Sequence, residues 1–197
     1  MTSDTRQALI KFESALSAAL RERDAYTRFH SDRVMNFSTE LGASIGLSSK
    51  ELILLKTAAA LHDIGKIGIP DSILHKSDKL DDEELIVMQT HSERGANIAR
   101  ALECDDMDVV ADAIMHHHEC YDGSGYPHGL EGEGIPILSR IITIADNYDA
   151  MSTRRVYQAP RPHSAIIDEM STEYGKHDPM LFTEFLRLIE KSEYRVS

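Results

Sequence analysis

Tryptophan is missing from this 197-residue chain, cysteine occurs twice, and aromatic residues make up only 6% of it. With Cys104 and Cys120 alone there is neither a disulfide framework nor a cysteine-rich zinc cluster. Basic residues are outnumbered, 21 Lys plus Arg against 33 Asp plus Glu, for a formal charge of −12. A surface of that sign repels phosphate backbones, which argues against DNA or RNA binding through general Lys/Arg contacts. No apolar run approaches membrane-spanning length, and Met1-Thr2-Ser3-Asp4-Thr5 is not a basic stretch leading into an apolar one. The expectation is a cytoplasmic protein with no DNA and no membrane among its partners. At 42% hydrophobic the chain is too apolar for disorder, and its length fits one large domain or two small ones.

What is present is helical periodicity and histidine. Leu9, Phe12, Leu16 and Leu20 make a stripe over 5–23, and a second helix is predicted over 26–41, burying Val34 and Phe37. Ser48 and Glu51 have capping-box spacing before the apolar run Leu52, Leu54, Leu55 and Ala58 to Ala60, which Gly65, Gly68 and Pro70 stop. Further helices are predicted over 81–102 and 107–118. A glycine-rich loop over 119–135 follows, long enough to suggest function. Pro136 opens an apolar helix through Ile141, Ile142, Ile144 and Ala145. Asp178-Pro179 starts a last one running to about 191. No alternating strand pattern occurs, so the fold is predicted to be all-α.

Of ten histidines, seven lie from His62 to His128. In Ala58-Ala59-Ala60-Leu61-His62-Asp63-Ile64-Gly65-Lys66, a His-Asp pair ends a helix too apolar to be solvated. Asp63 there needs a cation, strong donors or a metal, unless a His-Asp hydrogen bond simply locks the helix end. Asp146, three residues before Asp149, also interrupts a core-facing stretch, and an ion pair with Arg140 or Arg155 would account for it alone. His116-His117-His118-Glu119 closes a helix. Adjacent helical side chains diverge by about 100°, so neighbouring imidazoles can grip one ion only where a helix ends or bends. His30 and His91, taken singly, read as surface residues. Taken together, dispersed imidazoles and carboxylates without thiolate make a nitrogen/oxygen shell for first-row transition metals.

Asp122-Gly123-Ser124-Gly125-Tyr126-Pro127, with His62-Asp63 and Gly65-Lys66, resembles the HD-GYP family of cyclic-dinucleotide phosphodiesterases, a branch of the HD-domain metal-dependent phosphohydrolases. The resemblance runs from about residue 24 to 179. It implies an all-α HD-domain helical bundle with an HD-GYP extension over 24–192, preceded by an N-terminal helix over 1–23. It implies one metal held by His30, His62, Asp63 and Asp146, and a second by His91, His117 and His118, with Asp63 shared. The two ions would be transition metals, iron or manganese. Asp63 and Lys66 become the catalytic residues, and Lys66, Tyr126, Pro127 and Arg155 the substrate-binding ones. His116 receives no role.

The activity implied is hydrolysis of cyclic di-GMP to pGpG by a metal-bridged hydroxide, with onward cleavage to GMP left open. The alternatives are another cyclic dinucleotide such as 3′,3′-cyclic GMP-AMP, or a non-catalytic metal-binding receptor or docking module. A diguanylate cyclase (GGDEF) domain is an implied partner of the loop. Two departures stand out. Gln158 replaces a second basic residue after Arg155, which implies weak binding of cyclic di-GMP. Tyr26 stands where three-metal relatives carry Glu, which implies two metals.

Overall fold

The apolar stripes form helices, and the ends of those helices carry the signals that stop them. In the computed structural model, which describes residues 3–23, 27–102, 104–152, 162–173 and 175–195, the chain begins with α1 (Ser3–Arg23), α2 (Thr27–Ser44) and α3 (Ser49–Leu61). A 3-10 turn at Ile64–Gly68 and the one-turn α4 (Asp71–Leu74) lead to α5 (Asp82–Arg100) and α6 (Met107–Met115). After a second 3-10 turn at Gly132–Gly134 come α7 (Ile137–Ser152), α8 (His163–Thr172) and α9 (Pro179–Ile189). Among the described residues β structure is limited to an isolated antiparallel bridge, Asp122 to Glu131. The fold is all-α, as the periodicity predicts.

The capping signals act as read. Ser48 accepts from the Glu51 amide while Glu51 accepts from the Ser48 amide, an arrangement worth about 1 kcal/mol. Asp178 caps α9 by accepting from Met180 and Leu181, with Pro179 in the first turn. Three elements differ from the sequence reading. Helix α6 stops at Met115, where the His117 ring donates Nδ1–H to the Ile114 carbonyl (2.6 Å) and the His116 ring joins its own backbone amide on the Asp112 carbonyl (2.9 and 3.2 Å). Helix α8 was not expected; its buried pair Ile166 and Met170 is too short a stripe to announce itself. Helix α4 has no buried residue at all and so no apolar signature.

Helix α7 lies at the centre, packed against α2, α6, α8 and α9, with Ile141, Ile142, Ile144, Ala145 and Tyr148 all buried. Phe37 from α2 meets Tyr148 and Phe185 edge-on, at ring separations of 5.3 and 6.4 Å. Full burial of a side chain this size contributes about 1.5–3 kcal/mol. Helix α1 joins the same core, burying Leu20. Arg23 donates to the Ile69 carbonyl (2.5 Å) and pairs with Asp71 (2.8 Å), tying α1 to the segment that follows His62-Asp63. Among the described residues, no helix is long and apolar enough to cross a membrane.

Candidate metal centre

Five segments meet at one buried point. Helix α2 brings His30, the end of α3 brings His62 and Asp63, and the middle of α5 brings His91. His117 and His118 come from the turn after α6, and Asp146 from α7. His30 and His91, which singly read as surface residues, are each 2% exposed. Gly65 explains how α5 comes so near. A Cβ at Gly65 would lie 1.9 Å from the His91 carbonyl oxygen and 2.6 Å from the Gly95 amide. Only hydrogen at that position lets the 3-10 turn press its backbone onto α5 and set His91 beside Asp63.

Backbone carbonyls fix the orientation of three imidazoles. Nδ1 of His62, His91 and His117 lies 2.7, 2.8 and 2.6 Å from the carbonyls of Ala59, Met88 and Ile114. A carbonyl only accepts, so each Nδ1 carries the proton and each Nε2 presents a lone pair inward. His91 Nε2 and His117 Nε2 then face each other at 3.4 Å with no proton between them. His62 Nε2 lies 3.2 Å from His30 Nε2. Lone pairs that face each other like those of His91 and His117 repel one another unless a cation sits among them. On a tetrahedral zinc, for example, nitrogen bonds of about 2.0–2.1 Å put neighbouring ligands roughly 3.3 Å apart. The donor set therefore fits a metal, and two groups have the required convergence: His30, His62 and Asp63, and His91, His117 and His118.

The carboxylates complete the cluster. Asp63 Oδ2 lies 3.7 Å from His30 Nε2 and 3.6 Å from His62 Nε2, while its Oδ1 is 3.6 Å from His91 Nε2. It thus touches both groups, and Lys66 Nζ donates to it at 2.7 Å. Burial alone would raise the Asp63 pKa, but Lys66 and the surrounding imidazoles outweigh it and hold the carboxyl well below the usual range. Asp146 Oδ1 lies 3.1 Å from His30 Nε2 and 3.8 Å from His62 Nε2. Arg140 pairs with Asp178 (2.6 Å) and not with Asp146. Burial opposes charge on His30, yet hydrogen bonds to Asp146 and Asp149 prevail and hold it up at about 10. Burial pushes the opposite group down: His91 and His117 are lowered, and His118 falls to about 3.

The signature loop folds over this cluster. Gly125 passes so close to the turn after α6 that a Cβ there would lie 2.2 Å from the Cys120 amide. The Tyr126 ring stacks on His118, centroids 4.8 Å apart at 27°, and a cis peptide joins Tyr126 to Pro127. Burial pushes the Tyr126 phenol pKa up, so the ring is neutral. Arg155, Gln158 and Tyr26 lie outside the described residues.

Arg33, Asp149 and Glu119 support the centre through contacts that the local sequence does not announce. Asp149 accepts from His30 Nδ1 (2.7 Å) and is gripped by Arg33 through Nε (2.5 Å) and Nη2 (3.0 Å). Glu119, 1% exposed, accepts from the amides of His128 (2.8 Å) and Leu130 (3.1 Å) and so fastens the loop. The three-residue offset from Asp146 placed Asp149 on the right face, but nothing local tied Arg33 to it.

Residues 9–181 match the model of the HD domain family. The chain belongs to that family. Its resemblance to the HD-GYP branch also holds. The chain is 38% identical over 183 residues to 3′3′-cGAMP-specific phosphodiesterase 2 of Vibrio cholerae, covering 93% of this chain and 35% of that protein. It is 39% identical over 167 residues to a cyclic di-GMP phosphodiesterase of Thermotoga maritima, covering 84% and 45%. The chain thus spans less than half the length of these curated relatives. Among solved structures, Bd1817, an HD-GYP protein of Bdellovibrio bacteriovorus, superposes with a TM-score of 0.70 at 20% identity, covering 94% of this chain and 64% of that one. At that identity the likeness concerns the fold.

Proposed function

We propose that this HD domain is a metal-dependent phosphodiesterase acting on a cyclic dinucleotide, with cyclic di-GMP as the first substrate. The observation that carries this reading is the convergence of imidazole Nε2 atoms on Asp63, a carboxylate that touches both histidine groups. His30, His62, Asp63 and Asp146 would hold one ion and His91, His117 and His118 the other, Asp63 being shared. Iron and manganese suit such a donor set. Two bound ions would supply Lewis acidity and an activated water for in-line displacement at phosphorus.

The rest falls to the chain's own residues. Lys66, 20% exposed at its side chain and anchored on Asp63, can hold a phosphate oxygen as a point charge. Tyr126 and Pro127 would form the wall of the substrate groove, with the Tyr126 ring fixed by stacking on His118. Arg155 is assigned to the substrate by the resemblance alone, as is docking of a GGDEF domain on the loop. We take 24–192 as the catalytic unit, with the helix of 1–23 packed on it.

A second reading within the class is 3′3′-cGAMP, since relatives of nearly equal identity carry each name. Incubating metal-loaded protein with both nucleotides and separating the products decides between them. Linear dinucleotide from either supports the enzyme, and tight binding of intact nucleotide without product supports a receptor instead.

A further inference from the structure

A third convergence of ligand atoms lies outside the buried cluster. His116, Glu119 and His128 each offer an atom within 4.8 Å of the others. We propose that these residues form a separate binding site for a zinc-class divalent cation, which clamps the signature loop to the end of α6.

The two imidazoles already sit at the separation of ligands on one ion, joined by a hydrogen bond that an ion would replace. His116 Nδ1 donates to the Asp112 carbonyl at 2.9 Å, so its Nε2 carries the lone pair. That lone pair faces His128 Nδ1 at 3.2 Å, with ring centroids 5.3 Å apart. Ligands on a tetrahedral zinc, with bonds of about 2.0–2.1 Å, lie roughly 3.3 Å apart. The Asp112 carbonyl supplies the outer hydrogen bond by which metal-bound imidazoles are oriented. Glu119 is the third ligand. The turn after α6 sets it under His116, its amide donating to the His116 carbonyl at 3.0 Å.

Glu119 also supplies an independent reason for a cation. It is buried, and its hydrogen-bond partners are the neutral amides of His128 and Leu130. Amides use part of its acceptor capacity but bring no full positive charge, and a buried carboxylate is costly without one. A divalent ion shared with two imidazoles would supply that charge and leave both amide bonds in place. His128 follows Tyr126-Pro127 directly, so an ion here would hold the loop against the turn that carries His117 and His118. The half-buried His116 and exposed His128 leave the site open to solvent.

The test is zinc binding to metal-stripped protein, counted by equilibrium dialysis with elemental analysis. Wild type is expected to hold one equivalent more than His128→Ala and one more than His116→Ala, with all three folded by circular dichroism. Equal stoichiometry in wild type and both variants overturns the proposal. Hydrogen exchange reads the clamp: zinc is expected to slow the amides of 126–130 in wild type and not in His128→Ala. Exchange that zinc leaves unaltered in wild type overturns it as well. Failure of the buried centre would instead appear as missing equivalents common to all three proteins, with the difference between them intact.

Discussion

His30 Nδ1 and Asp149 Oδ2 lie 2.7 Å apart across 119 residues of sequence, and Arg33 closes on the same carboxylate from the next turn of α2. This pair sets the direction of the His30 ring, leaving Nε2 to face Asp146, His62 and Asp63. An outer carboxylate of this kind typically changes metal affinity by about 10- to 100-fold. Asp149→Asn keeps the shape and one acceptor but removes the charge. It is expected to lose metal to a chelator far more readily than wild type, by elemental analysis of dialysed protein. Retention equal to wild type would mean that the ring is oriented by packing alone.

Asp63 touches both histidine groups, so its removal should undo both. Asp63→Ala is expected to purify with little metal, to show no hydrolysis, and to melt at a lower temperature. The destabilisation arises because converging imidazoles then lose the ions that hold them together. Full metal content with intact turnover in this variant would remove Asp63 from the centre.

Gly65→Ala tests how the site is assembled. The added methyl meets the backbone of His91 and Gly95, which cannot rotate away as a side chain would. Overpacking costs about 1–3 kcal/mol where neighbours can yield, and this contact is expected to lie at or above the top of that range. Urea unfolding measures the loss, and metal content should fall with it because His91 is displaced. A stability within error of wild type would show that α5 can retreat freely.

His177 gives the pH dependence a defined sign. It is buried, hydrogen-bonded with Asn147 at 3.0 Å, and stacked on Phe182. Burial, aided by Lys176, lowers its pKa below 6.5 despite Glu173. The unfolded chain therefore takes up a proton before the folded one does. The stability this group contributes is complete above pH 6.5 and declines as pH falls below it. His177→Gln is expected to flatten the fall in urea midpoint between pH 7 and 5 relative to wild type. Parallel curves would show that His177 titrates alike in both states.

Much of this was legible because its signals are local. Helix stripes, the Ser48–Glu51 cap and the Asp178-Pro179 start depend on residues a turn apart. The inner cluster was legible for a different reason: a carboxylate or imidazole in an apolar helix, as at Asp63 and Asp146, demands a partner wherever it comes from. Arg33, Asp149 and Glu119 were not, since each is an ordinary polar residue locally and acquires its role only through a contact distant in sequence or a loop that folds back. The end of α6 also depends on imidazoles that hydrogen-bond to its last carbonyls, which periodicity does not encode.

The most direct test of the metal-centred account is a titration of metal-stripped protein with manganese or ferrous iron, following hydrolysis of cyclic dinucleotide against bound equivalents. The account expects no turnover without metal, and turnover that appears as the buried histidine groups fill and stays absent in Asp63→Ala at any loading. Hydrolysis by the metal-free protein, or loading that saturates both groups while every cyclic dinucleotide remains intact, would contradict it.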